Sequence, residues 1–206
     1  MVNQALTVIV NTGDGDSYGE GGNHFLHNIR RNVDITHFVH DNQIYALTKG
    51  QPSPTSDACG VAPGIACNLS IPFNPLLIAL AAGAGFVART FSGNAAHMAK
   101  VMKAAILHKG YALVDILQPC VSFNKVNTFA YYKEHTYELE SDYDTGNYQA
   151  ALLRSMEYGP KIPLGVFYEA ALPTFHQRRP ALYDGEPLIR KMVSMDQLEA
   201  LLATFA

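Results

Sequence analysis

The first fifty residues alternate apolar runs with polar, glycine-rich interruptions. Leu6-Thr7-Val8-Ile9-Val10 is a continuous apolar run and predicts the first strand. Gly13-Asp14-Gly15-Asp16 and then Gly19-Glu20-Gly21-Gly22 interrupt it as a glycine turn and a glycine-rich passage. Asn23 to Arg31 predicts a helix, with Phe25 and Ile29 one turn apart on one face and Arg30 and Arg31 placed favourably against the C-terminal end of its dipole. Asp34 to His40 predicts a second strand, running into Asp41-Asn42-Gln43-Ile44-Tyr45. Strand, turn, helix and strand in that order predict two parallel strands joined by a helical crossover.

After Gly50 the pattern lapses. Gln51-Pro52-Ser53-Pro54-Thr55-Ser56 and the small residues that continue to about Pro75 predict a structureless loop of over twenty residues. Such a loop inside a compact domain is usually functional or disordered, and its place directly after the second strand sets it across an active site or against a partner. Pro75 suits the first position of an apolar, buried helix that ends at Gly83-Ala84-Gly85. Phe86 to Arg89 predicts a short strand, Asn94 to His108 a helix with Met98, Val101, Met102 and Ile106 at helical spacing, and Tyr111 to Leu117 another strand after Gly110. Repeated alternation predicts an α/β fold with a doubly wound, mostly parallel sheet. Beyond Cys120 the expectation is a tyrosine-rich connection, a helix over Tyr148–Tyr158, a strand over Leu164–Glu169, a loop at Gln177-Arg178-Arg179-Pro180 and a terminal helix from Ser194 to Phe205, capped by Ser194 with Asp196 in its first turn. The chain thus divides into an α/β domain over residues 1–125 and an irregular C-terminal extension over 126–206, packed on that domain or on a partner.

Composition narrows the function. A formal net charge of −3 and no basic run argue against nucleic acid as a partner. The longest apolar stretch, Pro75 to Val87, has 13 residues and is too short to span a bilayer, and no signal peptide is visible. Three cysteines, Cys59, Cys67 and Cys120, make no even disulfide framework, so a reducing, cytoplasmic setting is expected. A first strand that ends in a ligand site is normally central in its sheet, with neighbours on both sides. Met1 leads straight into this one, so the chain is expected to be a fragment or a late start.

Ligands in doubly wound sheets sit at the carboxyl ends of the strands. Asp14 and Asn42, 28 positions apart, would therefore face one crevice. A carboxylate and an amide oxygen beside a glycine turn suit Mg²⁺, which takes hard oxygen ligands and shares them with phosphates. The glycines let backbone N–H groups approach those phosphates, and a helix N-terminus favours the anion. Three other readings compete. An Asp14-Gly15 hairpin turn is disfavoured because no alternating strand follows. A nicotinamide fingerprint fails because the glycine after Gly15 is Gly19. The third is a simple helix cap. His37 and His40 are three apart, which on a strand sends them to opposite faces and away from a shared metal, and no G-x-S-x-G elbow occurs.

These residues also carry a resemblance. Gly13-Asp14-Gly15, 26 residues and then Asn42 is similar to the thiamine diphosphate motif. The fuller string, with Gly21-Gly22-Asn23-His24-Phe25, Arg30-Arg31-Asn32, Asp41 to Gln51, Phe73 to Arg89 and Leu117 to Asn124, resembles the β subunit of 2-oxoacid:ferredoxin oxidoreductases. The resemblance implies a Mg²⁺ site of Asp14, Asn42 and the Ile44 backbone carbonyl, with Gly13, Gly15 and Asp16 at the diphosphate and Ala46 and Leu47 lining the cofactor. It places Lys49 near the 2-oxoacid carboxylate. Cys120 matches a ligand of a [4Fe–4S] cluster, whose other three thiolates lie upstream in the family. Cys59 and Cys67 do not match those positions and read as loop thiols, so this chain alone is expected to hold no cluster and to be inactive. The implied activity is coenzyme-A-dependent oxidative decarboxylation of a 2-oxoacid, with electrons passed to ferredoxin and an α subunit supplying the glutamate that activates the cofactor. Which oxoacid, pyruvate, 2-oxoglutarate or another, stays open. So do a non-catalytic assembly role and a thiamine-dependent decarboxylase without iron and sulfur.

Overall fold

The computed structural model describes residues 6–58, 69–179 and 188–205. Its strands are β1 (Ile9–Gly13), β2 (Ile35–Asp41), β3 (Ile44–Tyr45), β4 (Gln51–Pro52), β5 (Phe86–Phe91), β6 (Tyr111–Leu117), β7 (Thr136–Glu138) and β8 (Ile162–Glu169). The helices are α1 (Gly22–Arg31), α2 (Pro75–Ala81), α3 (Ala95–Leu107), α4 (Phe129–His135), α5 (Tyr148–Ser155) and α6 (Met195–Ala203). Six strands form one sheet in the order β1-β2-β6-β5-β8-β7. The first four are mutually parallel, β8 runs antiparallel to β5, and β7 is parallel to β8.

Helices cover both faces of the sheet, and the period-2 alternation of the strands explains how. On β5 and β6, Val87 and Leu113 face a core shared with Phe25 and Ile29 of α1, Leu76 and Leu80 of α2 and Ala151 of α5. Their neighbours Phe86, Ala88, Ala112 and Val114 face the opposite core, under Val101 and Ala105 of α3. Phe25 and Ile29, the pair spaced for one helix face, are 2% and 1% exposed. Burying each contributes about 1.5–3 kcal/mol. Strands β5 and β6 are buried along their whole length on both faces and are largely apolar, broken at Arg89, Thr90 and Asp115.

Local sequence set several boundaries as expected. Asn74 accepts the Leu77 amide at 3.1 Å ahead of Pro75, and Asn94 accepts the His97 amide at 3.2 Å. Ser194 and Gln197 form a reciprocal capping box on α6. Three stretches differ. The first strand begins at Ile9, and Leu6, Val8 and Ile9 are 63%, 44% and 43% exposed. Among the described residues β1 pairs with β2 alone, so its apolar run is not buried as a central strand would be. The glycine-rich passage is a π-helical turn over Gly15–Glu20, closed where the Gly21 amide donates to Asp16 O at 2.6 Å. A Cβ on Gly21 would lie 2.7 Å from that same oxygen, so glycine is required there. The tyrosine-rich connection contains α4 and β7, packed through Tyr132, Ile162 and Leu164 in a third apolar cluster. Helix α6 buries none of its residues in this chain. Among the described residues, no helix is long and apolar enough to cross a membrane.

His37 of β2 ties the first crossover to the sheet. Its Nδ1 lies 2.7 Å from the Tyr111 hydroxyl, and its Nε2 lies 2.9 and 3.0 Å from the hydroxyls of Thr12 and Ser17. His40, on the opposite face of the strand, pairs with Gln118 Oε1 at 2.6 Å. Burial lowers the His37 pKa to about 4 from 6.5. The folded state therefore binds fewer protons than the unfolded state between those values, and stability falls as pH drops from about 6.5 to about 4. His37→Gln, which does not titrate, should lose about 3 kcal/mol less stability than wild type between pH 7 and 4. Urea denaturation of both proteins across that range is the measurement, and parallel pH profiles would refute it.

Candidate functional site

Strands β1 and β2 are adjacent and parallel, in a register that sets Gly13 opposite His40. The residues that follow, Asp14 and the Asp41-Asn42 pair, therefore emerge side by side at the carboxyl edge of the sheet, as the crossover pattern requires. Asp14 begins the π-helical turn and is 1% exposed. Asn42 is half-buried, and its Oδ1 accepts the Ile44 amide at 3.0 Å, which fixes the amide group in a tight turn. An amide oxygen has a second lone pair for a cation.

Beyond that turn, β3 and β4 form a short antiparallel hairpin. Its tip carries Ala46, Leu47, Thr48 and Lys49, closed by Lys49 N donating to Ala46 O at 3.1 Å and Gly50 N to Tyr45 O at 3.0 Å. Leu47 is 96% exposed. Lys49 is exposed and holds a left-handed backbone, with φ +76°. The Tyr45 ring folds back over the glycine turn, where a Cβ on Gly15 would come within 2.3 Å of the ring and one on Gly19 within 2.3 Å of its hydroxyl. Those two glycines make room for Tyr45. Gly13 has open space at its Cβ position, and Asp16 is exposed.

The loop after Gly50 is ordered where it meets the site. Ser53, Thr55 and Ser56 are 2%, 5% and 2% exposed, and the Ser53 and Thr55 hydroxyls donate to Asp14 Oδ2 at 2.5 and 2.6 Å. Thr55 Oγ1 also lies 2.8 Å from Asp41 Oδ1, linking the two carboxyls. Behind Asp41 stands a buried ion pair, Arg89 Nε to Asp115 Oδ2 at 3.0 Å, with Tyr18 donating to Asp115 Oδ1 at 3.1 Å. Burial, and after it the charges of Asp115 and Asp14, push Asp41 well above the usual carboxylate range. A cavity of about 130 Å³ bordered by Asp41, Thr55, Phe73, Arg89 and Tyr158 adjoins this group, and the buried Arg89 Nη1 has no hydrogen-bond partner among the described residues. Reading the sequence for chemistry missed Ser53, Thr55, Asp41, Asp115 and Arg89. The only signal available was the charged Arg89 and Asp115 inside otherwise apolar strands.

Of the three groups expected to hold Mg²⁺, Asp14 directly follows β1, Asn42 directly follows the adjacent parallel β2, and Ile44 opens β3. Their all-oxygen donor set fits that ion, and a ligating carboxylate is normally hydrogen-bonded on its outer side, as Asp14 is. Among the described residues, no three His, Cys, Asp or Glu side chains gather as a metal cluster. Cys120 is half-buried, follows β6 and is in no disulfide among the described residues. Cys59 and Cys67 lie outside the described residues.

Comparison with known proteins matches this geometry to a family. Residues 1–116 match the family "Thiamine pyrophosphate enzyme, C-terminal TPP binding domain". Residues 120–184 match the family formed by the C-terminal region of the pyruvate ferredoxin oxidoreductase beta subunit. The 2-oxoacid:ferredoxin oxidoreductase subunit beta of Saccharolobus solfataricus is 38% identical over 91% of this chain and 67% of its own length. Subunit beta of 2-oxoacid:ferredoxin oxidoreductase 1 from Aeropyrum pernix is 41% identical over 87% of this chain and 60% of its own. The solved 2-oxoglutarate:ferredoxin oxidoreductase of Magnetococcus marinus, with 2-oxoglutarate, coenzyme A and succinyl-CoA bound, superposes with a TM-score of 0.84 at 35% identity. That match covers 96% of this chain and 67% of the solved one, so the chain spans about two thirds of the length of these relatives. With its parallel β1–β2 edge carrying Asp14 and Asn42, the chain belongs to the β-subunit family of the 2-oxoacid:ferredoxin oxidoreductases.

Proposed function

We propose that this chain holds the diphosphate end of thiamine diphosphate through Mg²⁺ and serves oxidative decarboxylation of a 2-oxoacid to an acyl-CoA and CO₂, with electrons passed to ferredoxin. The observation that carries the reading is the convergence of Asp14 and Asn42 at the carboxyl ends of two adjacent parallel strands, with the Asp14 carboxyl gripped from behind by two hydroxyls. Asp14, Asn42 and the Ile44 carbonyl would hold the cation. Gly13, with open space at its Cβ position, Gly15 and the exposed Asp16 would meet the diphosphate. Ala46 and Leu47 would line the cofactor from the hairpin. Bound there, thiamine diphosphate supplies the nucleophilic carbon and electron sink that decarboxylation needs.

Lys49 would attract the substrate carboxylate. A non-glycine residue held in the left-handed region costs about 1–2 kcal/mol, and strain of that kind is characteristic of functional positions. An α subunit would complete the cofactor cradle. Leu47, Val121 and Phe123, exposed at 96%, 71% and 41%, are the kind of apolar surface a partner covers. Cys120 would serve a [4Fe–4S] cluster only with a thiolate supplied from outside these 206 residues, which hold three cysteines, since such a cluster takes four.

Asp14→Ala should weaken Mg²⁺-dependent thiamine diphosphate binding by more than the roughly 10–100-fold that loss of an outer hydrogen-bonding partner costs. Titration of cofactor at limiting Mg²⁺ checks it, and unchanged affinity removes Asp14 from the site. Lys49→Ala should lower kcat/KM for the 2-oxoacid by roughly tenfold or more while cofactor affinity holds, because its charge acts on the substrate. Steady-state kinetics on the assembled enzyme decides that, and an unaltered kcat/KM makes Lys49 a loop lysine. The 206-residue chain by itself, with three cysteines, should take up no stoichiometric [4Fe–4S] cluster on anaerobic reconstitution with iron and sulfide. Absorption and EPR spectroscopy give the answer, and a full cluster would assign ligands to Cys59 and Cys67.

A further inference from the structure

Asp14 poses a problem of orientation. It is 1% exposed, and a carboxylate can rotate to offer either oxygen, so some group must decide which one a cation meets. Two hydroxyls decide it. Ser53 Oγ and Thr55 Oγ1 reach Asp14 from 39 and 41 positions away, and both fall on the same oxygen, Oδ2.

The segment that carries them is itself held at several points. Ser56 Oγ accepts the Ser53 amide at 2.8 Å, and the Ser56 hydroxyl donates to the Gln43 carbonyl. The Ser56 amide returns to Ser53 O at 3.2 Å, and the Phe73 amide donates to Pro54 O at 2.8 Å. Ser53 Oγ and Thr55 Oγ1 lie 3.2 Å apart. Pro52 and Pro54 fix φ on either side of Ser53, which lowers the entropy of ordering the turn. The two hydroxyls are thus presented to Asp14 by a rigid support.

We infer that Ser53 and Thr55 are positioning residues for the cation: by binding Asp14 Oδ2 they turn Oδ1 toward Mg²⁺. This deepens the proposed cofactor reading and rests on it. The geometry has the form of outer-shell support, in which hydrogen bonds orient a ligating group and their loss lowers metal affinity about 10–100-fold. Thr55 does a second task, since its hydroxyl also touches Asp41, the residue directly before Asn42. One hydroxyl therefore bears on the strand ends that supply both side-chain ligands. Side chains that merely fill space at these positions would not need oxygen atoms there, and valine has nearly the shape of threonine.

The test is Mn²⁺ binding, read by EPR on the assembled enzyme in the presence of thiamine diphosphate, with Mn²⁺ as the probe for the Mg²⁺ position. Thr55→Val should raise the Mn²⁺ dissociation constant about 10–100-fold, and Ser53→Ala should do the same. Thr55→Ser, which restores the hydroxyl, should stay within about threefold of wild type. Equal loss in Thr55→Val and Thr55→Ser would show that the methyl packing matters and overturn the inference, as would full affinity in both Thr55→Val and Ser53→Ala. Should Thr55→Val fail to fold, Ser53→Ala carries the same test alone. Asp14→Ala separates the two levels of the argument. If it keeps wild-type Mn²⁺ affinity the cofactor reading itself fails, whereas if it loses affinity and the hydroxyl variants do not, only the positioning role falls.

Discussion

The carboxyl edge of this sheet is organised around one buried charge pair. Arg89 and Asp115 sit opposite each other on β5 and β6, 2% and 0% exposed at their side chains, with Nε and Oδ2 3.0 Å apart. Withdrawing two charges from water costs several kcal/mol per ion, and removing either partner alone is strongly destabilising because the other is left uncompensated. Tyr18, from the π-helical turn after β1, supplies a further hydrogen bond to Asp115. A residue of the first crossover is thereby fastened to the centre of the sheet, and the turn that begins with Asp14 is held in place.

The pair also governs the neighbouring acids. Asp41 and Asp115 are buried beside a single guanidinium, and Thr55 joins Asp41 to the buried Asp14. Burial, and after it the charges of Asp115 and Asp14, pushes Asp41 well above the ordinary range. On the proposed reading a divalent cation at Asp14 would compensate the remaining charge, and the polar network would supply the outer support of a metal centre.

Surfaces divide in the same way as the interior. Both faces of the central strands are covered within this chain. The hairpin tip carries Lys49 and Leu47 into the open, and Phe123 packs against the hairpin, where a Cβ on Gly50 would come within 3.3 Å of its ring. Helix α6, with none of its residues buried, presents Leu201 and Leu202 at 55% and 59% exposure. The acids at the strand ends and the hydroxyls of Ser53 and Thr55 are thus buried together within the chain, while among the described residues the hairpin tip and α6 stay exposed.

Sequence by itself determined the features that depend on neighbours a few residues away. The caps at Asn74, Asn94 and Ser194 act on amides three positions on, and β6 declares itself by a largely apolar run after Gly110. That Asp14 and Asn42 follow the ends of adjacent parallel strands was legible for a related reason, since a single helical crossover brings such strand ends together by chain geometry. Only the tertiary structure decided that the Pro- and Ser-rich loop turns inward, that a π-helical turn fits Tyr45 against Gly15 and Gly19, and that β8 closes on β5 in the antiparallel sense. Serine, threonine and proline in a row have the composition of an exposed loop. What buries them is a demand made from another part of the chain, where Asp14, enclosed by the fold, must find hydrogen-bond donors that no local pattern can specify.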